Sequence, residues 1–444
     1  MKKLNSLPEE KFLMLVWSVL SGCFLIAAIC MPDRADLLDG MMRILTQPCK
    51  VATNYFAVGG YAATFFNMGL VGLICTLLFP VFKGTPNNVS NLGVILTIGF
   101  GSWGIHILNV WPTILGVMVY SLIKKESFGK NVNAMIYSTG IAPIITDLML
   151  LYPHAEMVGF NVVGILLSIL VGIFIGVLLP AGMAFSPKVH QGFDLYSAAL
   201  PVGMLAFFLQ AVLFKTMGVA LPAGPAAEDL KVASPMIVNT FCIVVFGGAV
   251  ICALLMGCKW SDYGKLLKDP ALVYNFSKEY GNSVFLMNLG VFGLFILAYY
   301  NLIGGSMNGV TFGIIFCMLS CCDSGSHPGN VWPIMVGYAL MSFLFGLLSS
   351  LAGGTFAGAI YAQPIMIGLC YANGLSPIAD KYGWQYGILA GSMHYILVTS
   401  VPALHGGFCL YNGGFTAALI CMILVPQLER FFKTRREKAE AKVS

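Results

Sequence analysis

A seven-residue motif that occurs twice sets the strongest limit on how this chain can fold. Residues 106–112 and 327–333 both read His-x-x-Asn-Val-Trp-Pro, and the two copies lie 221 residues apart. At the same offset, 14 of the 50 residues from 67 to 116 are identical to their counterparts. A match of this length at one fixed spacing indicates that the chain contains a duplicated structural unit.

The duplication reaches well beyond this motif. Residues 137–143 resemble residues 371–377, and residues 190–196 resemble residues 405–411. A Pro- and Gly-containing stretch separates the two copies and predicts a linker. We therefore divide the chain into a first repeat (1–214), a linker (215–234), a second repeat (235–430) and a basic tail (431–444).

The composition excludes an ordinary soluble domain. Hydrophobic residues make up 58% of the 444 residues and charged residues only 10%, whereas soluble domains carry about 25% charged residues. The apolar runs are continuous and about 20 residues long, as a helix crossing ~30 Å of hydrocarbon requires. A transmembrane β-barrel would instead read as alternating segments of about 10 residues. The sequence therefore predicts an all-α polytopic membrane protein.

The apolar segments predict seven spans in each repeat, or 14 (7+7) in total. In the alternative, the short pieces around the duplicated motif form re-entrant half-helices, which leaves 10 complete spans. The predicted segments are 12–31, 55–82, 89–105, a short piece ending at 123, 132–151, 157–179 and 193–214, followed by 235–257, 284–303, 308–322, 332–351, 356–371, 386–401 and 408–425.

Either count gives an odd number of spans per repeat, which would place the two repeats in inverted topology. The distribution of lysines fits this arrangement. With a cytoplasmic N-terminus, Lys83, Lys188, the 124–130 loop and the C-terminal tail all fall on the cytoplasmic side. Cytoplasmic loops of membrane proteins carry such an excess of Lys and Arg. We therefore predict a multi-pass protein of the plasma membrane with both termini in the cytoplasm.

The duplicated motif is the first candidate for a solute-binding site. Asn109 and Asn330 can cap the helical pieces that follow them, and the start of a half-helix inside a membrane favours polar or anionic groups. The alternative is a pair of surface loops with the tryptophans in the aromatic belt at the membrane interface. The predicted substrate-binding residues of the motif are His106, Asn109, Trp111, His327, Asn330 and Trp332.

Further paired residues form a second group of candidates. His190 and His405 could handle protons near neutral pH, or could be ordinary loop residues. Asn67 and Asn288 could bind solute or tie helices together. Asp147 and His394 are ionisable residues within apolar segments, which makes them functional candidates by default. Asp147 is the weaker, because it has no clean counterpart in the second repeat, although Asp380 lies near the equivalent region. Four glycines beside the two asparagines are expected to allow close helix approach: Gly69, Gly72, Gly290 and Gly293.

Several classes of function lack their sequence patterns. The 13 cysteines form no CxxC pair and no zinc-type spacing with histidine. There is no Walker-type loop, no HExxH and no G-x-S-x-G. We expect no metal, no cofactor, no nucleic-acid partner and no enzymatic activity.

The paired His-x-x-Asn-Val-Trp-Pro, the Tyr-x-x-Gly-x-x-Pro and the closing residues 405–415 resemble a bacterial multi-pass membrane family described as a domain of unknown function. The resemblance implies a helical membrane fold and no particular substrate. In layout alone, a 7+7 inverted repeat is similar to nucleobase and sulfate permeases, and a 5+5 repeat to urea transporters.

The sequence thus favours a secondary transporter for a small polar or anionic solute, with its site between two inverted repeats. Its partners would be the lipid bilayer and the solute. Coupling to protons or ions and the oligomeric state are left open. The alternatives are a passive solute channel and a membrane-embedded enzyme.

Overall fold

The computed structural model describes residues 2–48, 53–154, 157–221, 233–268 and 275–440. Within these residues all regular structure is helical, which confirms the predicted class. Among the described residues, eight helices are long and apolar enough to cross a membrane, one of which is Ala199–Thr216, and three apolar helices are shorter. The predicted linker lies largely outside the described residues, since 222–232 are not among them.

The two halves contain the same succession of main helices. The first half contains α1 (Glu9–Cys30), α2 (Tyr55–Phe82), α3 (Asn88–Phe100), α4 (Trp111–Lys124), α5 (Val132–Ser138), α6 (Ala142–Leu150), α7 (Val162–His190) and α8 (Ala199–Gln210). The second half contains α9 (Pro235–Leu255), α10 (Asn282–Leu302), α11 (Gly309–Leu319), α12 (Pro328–Leu351), α13 (Gln363–Ala372), α14 (Ser376–Tyr382), α15 (Trp384–Val398) and α16 (Asn412–Phe431). Short helices occupy Lys2–Asn5, Leu37–Thr46, Trp260–Leu266, Phe276–Tyr280, Val401–Leu404 and Arg435–Glu440.

Local signals at equivalent positions set equivalent helix boundaries. Asn87 caps α3 and Asn308 caps α11, each through a complete capping box. Gly60 bends α2 with φ 84°, and Gly281 has φ 91° just before α10. Only glycine adopts such a conformation without strain. The shared residues therefore produce the same turn of the chain in both halves.

Glycines pack the long helices closely within each half. A Cβ on Gly69 would lie 3.0 Å from the carbonyl oxygen of Ser21 in α1, and a Cβ on Gly290 would lie 2.6 Å from a backbone oxygen of α9. Gly72 and Gly293, one turn further along, meet the same two partner helices. These four residues thus contribute to packing of α1 on α2 and of α9 on α10.

The short helices α3 and α11 cross between the halves and run antiparallel. A Cβ on Gly309, at the start of α11, would lie 2.7 Å from the carbonyl oxygen of Ser102, just after α3. Beyond the other end of α11, the Ser324 hydroxyl donates to the carbonyl of Asn88, at the start of α3. Each helix therefore ends where the other begins.

The loop after α3 lies at the depth of a helix interior. With 13 residues, α3 is about 20 Å long, which is shorter than the ~30 Å hydrocarbon core. The loop that follows accepts hydrogen bonds from Asn67, near the middle of α2. Eight of the described helices have spanning length, a number that equals neither 14 nor 10. The number of complete spans therefore stays a prediction.

The innermost layer of the protein consists of α5–α6 and α13–α14. Every residue from 365 to 379 is buried, and nearly every residue from 132 to 150. In contrast, α7, α9 and α12 leave most of their surface uncovered by protein. The burial pattern places α5–α6 and α13–α14 at the centre, surrounded by helices with lipid-type surfaces.

Several predicted boundaries differ from the structure, among them those of 193–214, observed as Ala199–Thr216, and of 408–425, observed as Asn412–Phe431. The segment predicted as 157–179 is α7, which begins at Val162, where the Asn161 side chain accepts the N–H of Gly164, and continues to His190. Two prolines inside α7 do not end it, as is common in membrane helices. The segment predicted as 356–371 begins only at Gln363 in α13.

Candidate functional site at two helix breaks

Each central helix is broken in the middle by a short 3₁₀ turn. Thr139–Ile141 separates α5 from α6, and Asn373–Leu375 separates α13 from α14. A glycine lies in each turn, and a proline in the first turn of each following helix prevents a continuous α-helix. Both breaks are fully buried. Backbone polar groups inside a membrane protein must find partners other than water.

The two halves supply those partners to each other. The backbone N–H of Leu195 in the first half donates to the carbonyl of Gly374 at 3.0 Å. The backbone N–H of Leu410 in the second half donates to the carbonyl of Gly140 at 2.9 Å. The loop before α8 therefore closes the break of the second half, and the loop before α16 closes the break of the first.

A tyrosine follows each donor and packs on the glycine of the opposite break. A Cβ on Gly374 would lie 2.7 Å from Cδ2 of Tyr196, and a Cβ on Gly140 would overlap the ring of Tyr411. Such distances leave no room for any side chain beyond hydrogen. The glycines thus allow a contact between halves in addition to their effect on the turn.

The two tyrosine hydroxyls differ in their surroundings. The hydroxyl of Tyr196 donates to the carbonyl of Cys317 at 2.9 Å and lies 3.3 Å from that of Cys370. The equivalent hydroxyl of Tyr411 is buried and has no hydrogen-bond partner. The two breaks therefore share a backbone geometry but differ in their side-chain chemistry.

Two acceptor oxygens beside the second break lack donors in the part of the chain that the structure describes. Asp194 Oδ1 accepts the N–H of Tyr196 at 2.9 Å, and its Oδ2 is buried without a partner. Asn373 donates through Nδ2 to the carbonyl of Met318 at 2.7 Å, and its Oδ1 is also buried without a partner. Asp194 Oδ1 lies 3.0 Å from the Cβ position of Gly374, the residue after Asn373.

Hydroxyl groups surround the same break. The Ser326 Oγ lies 3.3 Å from Ser376 Oγ and 3.5 Å from the carbonyl oxygen of Asn373. The first break has less polar residues at the equivalent positions. By the offsets of the repeats, Asp194, Asn373, Ser326 and Ser376 correspond to Cys409, Thr139, Ile105 and Ala142.

The first copy of the duplicated motif forms a closed loop. Asn109 Oδ1 accepts the N–H of His106 at 3.0 Å, and its Nδ2 donates to the Gly104 carbonyl and to the Thr146 hydroxyl. His106 Nδ1 accepts the N–H of Leu108 at 3.3 Å. These residues hold the loop to itself and to α6.

The second copy repeats this geometry. Asn330 Oδ1 accepts the N–H of His327 at 3.0 Å, and its Nδ2 donates to the Gly325 carbonyl at 2.7 Å and to Asp380 Oδ2 at 2.6 Å. His327 Nδ1 accepts the N–H of Gly329. Asp380 takes the place that Thr146 has in the first half.

The structure does not bring the two motif copies together. They follow α3 and α11, which are antiparallel, so that the motifs lie at opposite ends of a helix pair about 16–20 Å long. His106 and His327 therefore cannot contact one small solute in this arrangement. Trp111 and Trp332 are 42% and 40% exposed and face away from the buried loops.

Asn67 and Asn288 bind backbone rather than open space. Asn67 donates to the carbonyls of Gly101 and Ile105 at 2.7 and 2.8 Å. Asn288 makes the same two bonds in the second half and also accepts from the Tyr263 hydroxyl. Each asparagine fixes the loop that follows α3 or α11.

The remaining histidines have unequal environments. His190 Nε2 lies 2.8 Å from Ser197 Oγ, and its Nδ1 accepts from the loop backbone. His405 is buried against the ring of Phe415, and neither ring nitrogen has a partner. His394 bridges the Tyr338 hydroxyl and a carbonyl of α16. Asp147 is buried within α6.

Sequence reasoning missed Asp194, Asn373, Gly140 and Gly374 as site residues. All four lie inside stretches that the repeat comparison had matched. The informative signal was a difference between the repeats, because the position equivalent to Asp194 in the otherwise similar second loop is Cys409. Within the described parts of the chain, no group of three or more His, Cys, Asp or Glu residues could hold a metal ion.

A family model matches most of the chain. The model described as "Protein of unknown function (DUF1576)" matches residues 33–215 and 257–430. The chain belongs to this family. The match confirms the resemblance inferred from the paired motifs, with a copy in each half of the chain. A comparison with curated proteins and with solved structures gives no match for this DUF1576 protein.

Proposed function

We propose that this DUF1576 membrane protein is a secondary transporter for a small polar solute. Its two halves would be inverted repeats that move against each other at the helix breaks. The observation that carries the proposal is the reciprocal pair of bonds, Leu195 to Gly374 and Leu410 to Gly140. Transporters built from inverted repeats bind solute between the repeats, beside discontinuous helices.

The contact between the halves suits a structure that opens. At each break the loop and the opposite half share one backbone hydrogen bond and one tyrosine–glycine contact, and at the second break the Tyr196 hydroxyl adds bonds to the Cys317 and Cys370 carbonyls. A net hydrogen bond contributes about 0.5–1.5 kcal/mol. A solute that binds one arrangement of the halves better than another would shift their populations.

The inverted orientation is part of the proposal. The antiparallel pair α3 and α11 supports it, because these helices are equivalent in sequence and run in opposite directions. Asn275 contacts Glu9 near the N-terminus and Asn88, five residues after Lys83. The loop that contains Lys130 packs on Lys83. Lysines thus collect near the N-terminal end of the bundle, as cytoplasmic termini in the plasma membrane require.

The chemistry of the second break supports a solute that donates hydrogen bonds. The free acceptors there are Asp194 Oδ2 and Asn373 Oδ1. An anionic solute alone would be repelled by the Asp194 carboxylate, so an anion would need a cation beside it. A neutral or cationic polar solute could bind at the second break without an additional cation.

A passive channel and an enzyme remain the competing functions. Asp194 is 2% exposed and Asn373 is fully buried, so access to them requires a rearrangement of the surrounding helices. A channel would offer a path without such a change. We propose no catalytic role for Asp194, because among the described residues its carboxylate accepts one backbone N–H and is not hydrogen-bonded to a second acid or base.

Counterflow in proteoliposomes tests the proposal. A panel of amino acids, sugars, nucleobases and organic acids is first screened for thermal stabilisation of the purified protein, since a ligand of the folded state raises Tm. Each stabilising solute is then tested as labelled solute outside vesicles preloaded with the unlabelled form. A carrier accelerates the entry of label under these conditions.

The alternatives give different results in the same vesicles. Entry that does not respond to internal solute would support a channel, and a chemically altered solute would support an enzyme. Failure of the whole panel to stabilise the protein or to enter the vesicles would contradict the proposal. Gly374→Ala should abolish counterflow, whereas Gly248→Ala, at a position with no atom near the added Cβ, should leave it unchanged.

A further inference from the structure

We infer that Asp194 and Asn373, with the hydroxyls of Ser326 and Ser376, form a site for one small monovalent cation at the break of the second half. The inference rests on the proposed transport function and deepens it: the cation would occupy the free acceptors of the second break, and its gradient would drive the movement of a solute bound beside it. The shared chemistry is a single positive charge bound by oxygen atoms, supplied either by Na⁺ or by a proton.

The first argument is the unmet requirement of the buried carboxylate. Asp194 accepts one backbone N–H, and its second oxygen has no donor. An ionised carboxylate away from water is strongly unfavourable unless it is paired or hydrogen-bonded. No basic side chain forms an ion pair with Asp194 among the described residues. A bound cation would balance the charge of the Asp194 carboxylate.

The titratable groups around Asp194 do not supply this charge. His190 accepts the N–H of Asp194 through Nδ1, and Cys321, Cys421 and Tyr196 are the other titratable neighbours. A lysine beside this loop, Lys381, is directed elsewhere. Lys381 Nζ lies 4.7 Å from the ring centroid of Phe193 and 3.7 Å from Glu429 Oε1.

The available ligand atoms are oxygens. They are the carboxylate of Asp194, the amide oxygen of Asn373 and the neighbouring serine hydroxyls. Oxygen ligands suit hard cations rather than copper or zinc. One carboxylate balances one positive charge, whereas a divalent ion would leave a net charge buried. The set therefore fits a monovalent ion.

The second argument is the asymmetry of the two breaks. The first break has the same backbone geometry with Cys409 and Thr139 in place of Asp194 and Asn373. The fold thus forms a break of this kind without the carboxylate and the amide. Their presence at the second break points to a ligand, and predicts one cation per chain.

Exchange of residues between the equivalent positions provides matched variants. Asp194→Cys and Asn373→Thr place in the second break the residues that the first break already accommodates. Cys409→Ser, in the first break, is the control. The purified proteins are compared by Tm as NaCl replaces choline chloride at constant ionic strength, so that general salt effects cancel.

We expect Na⁺ to raise the Tm of the unaltered protein and of Cys409→Ser in a saturable manner. Asp194→Cys should lose this rise, and Asn373→Thr should need at least about tenfold more Na⁺. Asn373→Thr retains the Asp194 carboxylate, so it still tests the cation site if Asp194→Cys does not fold. A rise in Tm that is equal in all four proteins would overturn the inference.

A proton in place of Na⁺ gives a different pattern. Na⁺ would then have no specific effect on Tm. The Tm of the unaltered protein would fall towards alkaline pH. Asp194→Asn, which imitates the protonated acid, would not show this fall. Absence of both effects would overturn the inference. Both measurements are made without transport. A cation effect on Tm without counterflow would contradict only the proposed transporter function. Counterflow that does not depend on a cation would contradict only the cation site.

Discussion

The carbonyl of Gly140 accepts the backbone N–H of Leu410 at 2.9 Å, although the two residues belong to different halves of the chain. The bond satisfies a carbonyl at a helix break that water cannot reach. Its counterpart joins Leu195 and Gly374 at 3.0 Å. Each half thus depends on the other to complete its central helix.

Gly140→Ala should destabilise the protein strongly, because the new Cβ would overlap the ring of Tyr411. Overpacking of this kind costs about 1–3 kcal/mol or more. Thermal unfolding in detergent measures the effect as a lower Tm. Gly247→Ala, in α9, is the control, since no atom lies within 4 Å of its added Cβ. Equal Tm values for the two variants would contradict the tight contact.

Tyr196→Phe and Tyr411→Phe should change the Tm of the protein by different amounts or in opposite directions. Tyr196 donates to the carbonyl of Cys317, which also accepts the hydroxyl and the N–H of Ser320, so the loss of this one bond should cost about 0.5–1.5 kcal/mol. The buried hydroxyl of Tyr411 has no partner, so its removal should be neutral or stabilising. Parallel melting curves test this, and an equal loss of Tm in both would disprove the assigned asymmetry.

Asn288→Leu should lower stability more than Asn67→Leu. Both substitutions remove two bonds to loop carbonyls, but Asn288 also accepts the hydroxyl of Tyr263. Each lost bond to a buried group costs about 1–3 kcal/mol. A Tyr263→Phe background should reduce the difference between the two leucine variants. A larger effect at Asn67 would contradict this reasoning.

Glu126→Cys and Thr355→Cys should be labelled from opposite sides of the membrane. The two residues follow α4 and α12, which are equivalent helices in the two halves, and inverted repeats place equivalent loops on opposite faces. A membrane-impermeant maleimide applied to oriented vesicles measures this, with the exposed Cys30 replaced in both proteins. Labelling of both from one side would rule out inverted topology.

Local features of the sequence predicted the helices well. The segment 55–82 was expected and is observed as Tyr55–Phe82. Asparagine caps, glycines with positive φ and prolines act within a few residues, so their effects can be read from the chain. The start of α7 at Val162 was missed, because the cap at Asn161 lies within an apolar stretch where hydropathy alone gives no boundary.

The sequence by itself determined that this protein is helical, membrane-embedded and built from two related halves, because length, hydropathy and repetition are properties of the chain alone. Only the tertiary structure decided that His106 and His327 lie apart and that Asp194 lies beside Gly374. These relationships depend on how the halves pack against each other. Contacts between residues far apart in the chain leave no local pattern, so a duplicated motif marks equivalent places without revealing which of them meet.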